Sequence, residues 1–119
     1  MKVCVIGDGL VSLTLANILI KKDISVDIFR KEKNILYDKS RTLGISKLNV
    51  DFFNREIINI KKISMEINKI KIFSEKNYEN ELIKFDNNNN QIFSIIRNYN
   101  LQKILFKSLK KSKLIKFKN

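Results

Sequence analysis

The sequence predicts a mixed α/β fold, on three observations. An uninterrupted apolar run at residues 3–6 leads directly into Gly7 and Gly9, and apolar residues at helical spacing follow. A second short strand is predicted at residues 25–29, which completes a βαβ unit of parallel strands. The region 63–97 instead contains stretches that alternate apolar and polar residues, as half-buried strands do. The predicted architecture is therefore a βαβ unit with an inserted antiparallel β segment.

The first predicted strand, residues 3–6, consists of Val, Cys, Val and Ile. A continuous apolar run is typical of a parallel strand that is buried on both faces. Cys4 is the only cysteine, so it forms no internal disulfide, and we expect a buried structural thiol rather than a nucleophile. The chain has no histidine, which excludes a Ser-His-Asp triad and a histidine-based metal site. We assign no metal site, and the catalytic residues are unknown.

The glycine turn has the spacing of a dinucleotide-binding loop. In the pattern G-x-G-x-x-G, Gly7 allows the sharp turn from strand to helix, and Gly9 lets a phosphate approach the backbone. The third position is Ser12, which is small enough for the helix to pack closely on the strand. Unpaired N–H groups at the helix start would then meet the anion. The alternative is an ordinary turn in which the glycines serve only the backbone.

The residue after the second predicted strand departs from this pattern. Dinucleotide-binding folds place an acidic side chain here to accept hydrogen bonds from the ribose hydroxyls, and this chain has Arg30. Arginine cannot accept a hydrogen bond. It can pair with a 2′-phosphate, which would favour NADP over FAD or NAD. The alternative is a solvated Arg30 with Glu32 reaching back to the ribose, and the sequence leaves both open.

The rest of the chain supplies the remaining predicted elements. They are a loop at residues 31–40, a helix capped by Ser46, strands at residues 63–67, 70–72, 78–86 and 91–97 with a hairpin turn at residues 87–90, a helix capped by Asn98 or Asn100, and a strand at residues 113–118.

The net charge is +12, and no acidic residue follows Asp86. The basic region 97–119 could contact nucleic acid or an anionic membrane. However, an AT-rich genome would also supply this abundance of lysine, isoleucine and asparagine, and no aromatic-interleaved basic ladder is present. We therefore predict no specific nucleic-acid partner. The apolar run 10–20 is too short to span a bilayer, so we predict a cytoplasmic protein, with peripheral membrane contact as an alternative.

The order of these elements resembles the N-terminal part of FAD-dependent aromatic hydroxylases, most closely the ubiquinone-biosynthesis monooxygenases. The resemblance rests on GDGLVS at residues 7–12, SVDIF at residues 25–29 and SRTLGIS at residues 40–46. Its most specific element is Arg41 with the residues that follow it. The resemblance covers essentially this whole chain but only about the first third of a typical family member. It implies a Rossmann-like FAD-binding βαβ fold that is truncated relative to the family.

The resemblance also implies the chemistry. Members of this family hydroxylate an aromatic quinone precursor with O₂ and a flavin that NAD(P)H has reduced. Gly7, Gly9 and Ser12 would line the FAD pyrophosphate, and Arg41 and Gln102 would contact the cofactor. Arg30, at the adenosine position, completes the candidate cofactor-binding residues.

By the same resemblance, three segments are predicted. They are the N-terminal FAD-binding βαβ region at residues 1–62, the inserted antiparallel β segment at residues 63–97, and a helix and strand at residues 98–119 that return to the FAD-binding sheet. The family's later Gly-Asp segment and the rest of its substrate sheet are missing. We therefore expect inactivity alone, as a fragment, as the product of a truncated reading frame, or as one half of a split enzyme that a second polypeptide completes. The alternative is a small NAD(P)-binding Rossmann module without hydroxylase activity.

Overall fold

The computed structural model describes residues 1–31, 39–86, 88 and 90–119. Its strands are β1 (Lys2–Ile6), β2 (Ser25–Phe29), β3 (Thr42–Ser46), β4 (Ser64–Ile67), β5 (Lys69–Ser74), β6 (Asn77–Asp86), β7 (Phe93–Arg97) and β8 (Ile115–Lys118). Its α-helices are α1 (Leu10–Lys21), α2 (Lys47–Phe52) and α3 (Asn98–Lys110). A π-helical turn, Phe53–Ile57, continues α2, and a 3₁₀ turn, Lys61–Ile63, precedes β4.

The described strands form three sheets. The first has the order β1-β2-β8, and both of its strand pairs are parallel. The second has the order β3-β7-β4 and is antiparallel, and β5 and β6 form a separate antiparallel hairpin. The mixed α/β class is therefore confirmed, with a parallel β1-α1-β2 unit and antiparallel strands between β2 and β8. The division into segments 1–62, 63–97 and 98–119 remains a prediction.

Helices α1 and α3 pack against each other and form the core with the first sheet. The fully buried side chains in this region include Leu13, Ala16, Val26, Ile28, Leu105 and Leu109. Asn17 is the polar exception on α1. Its Nδ2 donates to the carbonyl oxygen of Leu13 at 2.8 Å and to that of Leu105 at 3.2 Å. The amide is thus satisfied in the core and joins α1 to α3.

The prediction that the first strand is buried on both faces is wrong. Val5 is buried, but Cys4 is exposed and Ile6 is 89% exposed. The core lies on the face that carries Val5, and the described residues place no second layer over Cys4 and Ile6. In addition, β1 is an edge strand. Cys4 is therefore an exposed thiol rather than the expected buried one.

Asp27, in the middle of β2, lies on the face opposite the core. Its side chain is only 4% exposed, and its Oδ2 lies 2.9 Å from Lys2 Nζ and 2.6 Å from Lys118 Nζ. The hydrogen bonds from Lys118 and then Lys2 hold the pKa of Asp27 below its usual value, and Asp27 raises the pKa of Lys118. These contacts join all three strands of the first sheet.

Acid should weaken the fold through Asp27. Because its folded pKa is lowered, ionised Asp27 stabilises the fold above its ordinary pKa of 3.8, and this contribution is lost as pH falls through the folded pKa. Lys118 behaves oppositely: its raised pKa stabilises the fold below its ordinary value of 10.5, and the effect is lost as pH rises through the folded pKa.

We expect the urea concentration at the unfolding midpoint of the wild type to decrease as the pH is lowered through this acid range. The midpoint of Asp27→Asn should decrease less. Asp51→Asn is the matched control, because it removes an exposed ion pair of α2, between Lys47 and Asp51. An acid loss of equal size in wild type and Asp27→Asn would contradict the assignment to Asp27.

The β5-β6 hairpin has two unlike faces. One carries ion pairs, from Lys69 and Lys84 to Asp86 and from Lys71 to Glu81. The other carries two apolar cross-strand pairs, Ile70 opposite Phe85 and Ile72 opposite Ile83, of which Ile72, Ile83 and Phe85 are exposed. An isolated hairpin of two strands is marginally stable in water, so this apolar face is suited to packing against further protein.

Several local predictions can be compared with these elements. Ser46 caps α2 as expected, since its Oγ accepts from Asn49 N at 3.3 Å. The predicted cap of α3 is wrong: the N-cap position is Arg97, and no side chain caps the helix. Residues 32–38, in the predicted loop, and residues 87 and 89 lie outside the described residues. The predicted hairpin between strands 78–86 and 91–97 is wrong: β6 pairs with β5, and β7 pairs with β3 and β4. None of the helices in the described part of the chain has the length and apolar character needed to cross a membrane.

Candidate cofactor-binding site

The turn between β1 and α1 requires glycine at its first position. Gly7 has a φ of +93°, a conformation that side chains rarely adopt. Its N–H donates to the carbonyl oxygen of Phe29 at 2.7 Å, which ties the turn to the end of β2. Ser12 Oγ lies 3.9 Å from the position that a Gly7 Cβ would occupy. The small third residue of the motif therefore packs beside the first, as its spacing predicts.

Gly9 has a different role, because its backbone is extended, with φ −69° and ψ 174°. It occupies the N-cap position of α1, where no side chain accepts a hydrogen bond and no acidic residue lies in the first turn. A Cβ at Gly9 would meet nothing within 4 Å. Gly9 therefore leaves open space in front of the first N–H groups of α1, which are suited to an anion. We call Gly7–Gly9 and the first turn of α1 the cradle.

Helix α3 supports the cradle from the side. Gln102 Nε2 donates to the carbonyl oxygen of Asp8 at 3.2 Å. This hydrogen bond joins the middle residue of the turn to a helix 94 positions later in the chain. The structure thus brings Gln102 to the predicted site through the backbone of the turn.

Arg41 is also tied to α3, through its main chain. Its carbonyl oxygen accepts from Asn98 N at 3.0 Å, where β7 passes into α3. The side chain of Arg41 is exposed at the start of β3. The backbone therefore links Arg41 to the helix that carries Gln102, while its charged group is accessible to a ligand.

Asn98, at the start of α3, has an unusual side-chain acceptor. Its Oδ1 is buried and has no hydrogen-bond partner among the described residues. A buried acceptor of this kind is rare in folded proteins, and it lies one helical turn before Gln102. From the sequence, Asn98 was only a candidate cap. Asparagine is a common N-cap residue, so its position at a helix start gives no sign of a second role.

The guanidinium of Arg30 lies over two aromatic rings instead of in solvent. Its central carbon is 5.2 Å from the centroid of Phe117 in β8 and 5.7 Å from that of Phe106 in α3. Its Nε is buried without a partner among the described residues. Glu32, which could have taken over the ribose contact, lies outside the described residues. Arg30 is thus brought to the end of β2, next to the cradle.

An apolar groove of about 490 Å³ begins beside the cradle. It runs between the exposed side of α1 and strand β3, and its walls include Val11, Leu15, Ile18, Leu43 and Phe53. Val11 is 83% exposed although it is apolar. The site therefore combines donors for an anion with an adjoining surface that an apolar ring could cover.

The comparisons with known proteins concern the fold. No protein-family model and no curated protein sequence matches the chain. Among solved structures, p-nitrophenol 4-monooxygenase PnpA from Pseudomonas putida matches with a TM-score of 0.79 and 14% identity over 97% of this chain. HpxO from Klebsiella pneumoniae, complexed with FAD and uric acid, matches with 0.73 and 15% over 98%. PqsL from Pseudomonas aeruginosa, a probable FAD-dependent monooxygenase, matches with 0.76 and 10% over 99%.

This chain spans 30% of the length of PnpA and of HpxO and 32% of that of PqsL. At these identities the likeness establishes the fold. The chain therefore has the fold of a part of the flavin-dependent aromatic monooxygenases.

Proposed function

We propose that this chain supplies the FAD-binding part of a flavin-dependent monooxygenase. The observation that carries the proposal is the cradle: an open, uncapped helix start behind an exposed Gly9, in a fold shared with a structure that contains FAD. The cradle fits the pyrophosphate of the cofactor, because it offers donors for this group, and the adjoining groove is apolar. Bound FAD, once reduced by NAD(P)H, would supply the oxygen chemistry of the reaction.

Five of the six candidate residues then have separate tasks. Gly7 shapes the turn, Gly9 keeps the phosphate approach open, and Ser12 lets α1 pack closely at the turn. Gln102 holds the turn through its hydrogen bond to Asp8. The positive charge of Arg41 would contact the anionic cofactor, as the sequence resemblance implies.

We further propose an aromatic quinone precursor as the substrate of the complete enzyme, as in ubiquinone biosynthesis. The support is the sequence resemblance at Arg41 and the residues that follow it. A cytoplasmic enzyme in peripheral contact with the membrane would suit an apolar precursor and the basic net charge of +12. No specific nucleic-acid partner is proposed.

Hydroxylation needs further protein around this site. A flavin reaction with O₂ requires exclusion of water, but the groove is open and Ile6 and Val11 are almost fully exposed. The described residues likewise leave the free edge of β1 and the apolar face of the β5-β6 hairpin uncovered. We propose that a further polypeptide segment, in the same or a second chain, covers these surfaces and completes the site. The residues described here would then be inactive alone.

A ligand series tests the cradle directly. Binding to the chain should change the fluorescence of FAD. Titration with ADP should reverse this change, because ADP carries the half of FAD that the cradle holds and should displace FAD. FMN, which lacks the adenosine half, is the matched control and should bind much more weakly than FAD. Equal binding of FMN and FAD, or failure of ADP to compete, would contradict the proposal. Repeating the titration in the presence of a candidate second polypeptide tests whether that component strengthens FAD binding.

A further inference from the structure

Arg30 occupies a defined place beside the cradle. The N–H of Gly7 donates to the carbonyl oxygen of Phe29, the residue that precedes Arg30. The N–H of Arg30 itself donates to the carbonyl oxygen of Lys118 at 2.8 Å. The backbone of Arg30 is therefore fixed between the ends of β2 and β8. Dinucleotide-binding folds hold the adenosine ribose at this end of the second strand.

The side chain of Arg30 is also held in place. Its guanidinium lies within cation–π distance of both Phe106 and Phe117, and the centroids of these two rings are 4.7 Å apart. Packing of this kind restricts the guanidinium before any ligand arrives. A restricted guanidinium loses less conformational freedom on binding an anion than a solvated lysine does.

One donor of this guanidinium lacks an acceptor. Arg30 Nε is buried and makes no hydrogen bond within the described part of the chain. A buried charged donor without an acceptor is costly. An acceptor oxygen from outside the described residues, such as one on a bound ligand, would remove this cost.

We propose that Arg30 forms a subsite for a phosphate group on the adenosine ribose, so that the cradle prefers a 2′-phosphorylated adenosine. The inference rests on the proposed nucleotide site. A carboxylate here would accept hydrogen bonds from ribose hydroxyls, whereas a guanidinium only donates and pairs with a phosphate bidentately. FAD has no ribose phosphate, while NADP(H) carries one. NADP(H) should therefore compete with FAD for the cradle.

The test compares two ligands that differ by one phosphate. We expect adenosine 2′,5′-bisphosphate to bind the wild-type chain at least about tenfold more tightly than adenosine 5′-monophosphate in calorimetric titrations. Adenosine 3′,5′-bisphosphate, with the phosphate on the neighbouring hydroxyl, distinguishes the two positions and should show less of this gain. Arg30→Gln should abolish the preference, so that this variant binds the bisphosphate and the monophosphate with equal affinity.

Further variants separate a built subsite from general attraction by a basic chain. Lys31→Gln removes the same charge one residue later, at an exposed position, and should keep the preference. Arg30→Lys keeps the charge but lacks the planar guanidinium, and should therefore retain only part of the preference for the 2′-phosphate. Phe117→Leu should reduce the preference through the loss of one ring beneath the guanidinium.

The possible outcomes are distinct. Equal affinity of the wild type for both ligands overturns the subsite and leaves the cradle intact. Absence of binding of either ligand, together with absence of FAD binding, overturns both proposals. An equal loss of preference in Lys31→Gln and Arg30→Gln would assign the effect to net charge and overturn the role of Arg30. An unchanged preference in Arg30→Gln would also overturn the role of Arg30.

Discussion

Replacing Gly9 with valine should abolish measurable binding of ADP and leave the protein folded. The backbone of Gly9 is extended and therefore suits any residue, and a Cβ there meets no other atom within 4 Å. The valine side chain would instead occupy the space through which a phosphate approaches the first N–H groups of α1. Because valine is a poorer N-cap than glycine, we expect the free energy of unfolding to fall by about 1 kcal/mol or less.

Gly7→Ala is the matched comparison, because it changes the other glycine of the same turn. At a φ of +93° any side chain is strained, and a cost of about 1–3 kcal/mol in stability is expected. Calorimetric titration with ADP and urea unfolding of both variants separate the two roles. A Gly9→Val protein that binds ADP as tightly as the wild type would show that phosphates do not approach this residue.

Leu105→Ala should cause a large loss of stability, about 2–5 kcal/mol. Leu105 is fully buried on α3, and its carbonyl oxygen accepts a hydrogen bond from Asn17 on α1. The truncated side chain would leave a cavity between the two helices that support the cradle. Such a loss is a large share of the stability of a small domain.

Leu48→Ala provides the control, since Leu48 lies on α2 and is 81% exposed. Its free energy of unfolding should change by about 0.5 kcal/mol or less. Leu105→Met preserves volume and should cost less than about 1.5 kcal/mol, which keeps a folded variant available if Leu105→Ala does not fold. Urea unfolding followed by circular dichroism measures all three, and equal losses for Leu105→Ala and Leu48→Ala would contradict the assignment of Leu105 to the core.

The features that the sequence predicts well are local. The glycine turn and the Ser46 cap each depend on residues within a few positions of one another. The antiparallel strands follow from their alternation. Arg30, Arg41 and Gln102 were selected from their positions in the pattern, and their binding roles remain predictions.

The features that were missed depend on distant parts of the chain. The apolar run of β1 cannot show whether one or two layers will cover it, so Cys4 and Ile6 were expected to be buried. The hydrogen bond between Gln102 and Asp8 spans 94 positions, and no local pattern indicates it. The rings beneath Arg30 likewise come from α3 and β8. Sequence spacing thus locates the cradle, whereas the distant residues that support it can be identified only from the three-dimensional structure.

The place of β8 in the first sheet has a consequence for synthesis. A ribosome that has completed residues 1–110 has made β1, β2 and both helices of the core, but not the strand that pairs with the other side of β2. At that stage Asp27 lacks Lys118, and Arg30 lacks Phe117. A nascent chain would therefore carry the glycine motif long before its ribose end is ordered, and nucleotide capture should follow translation of β8.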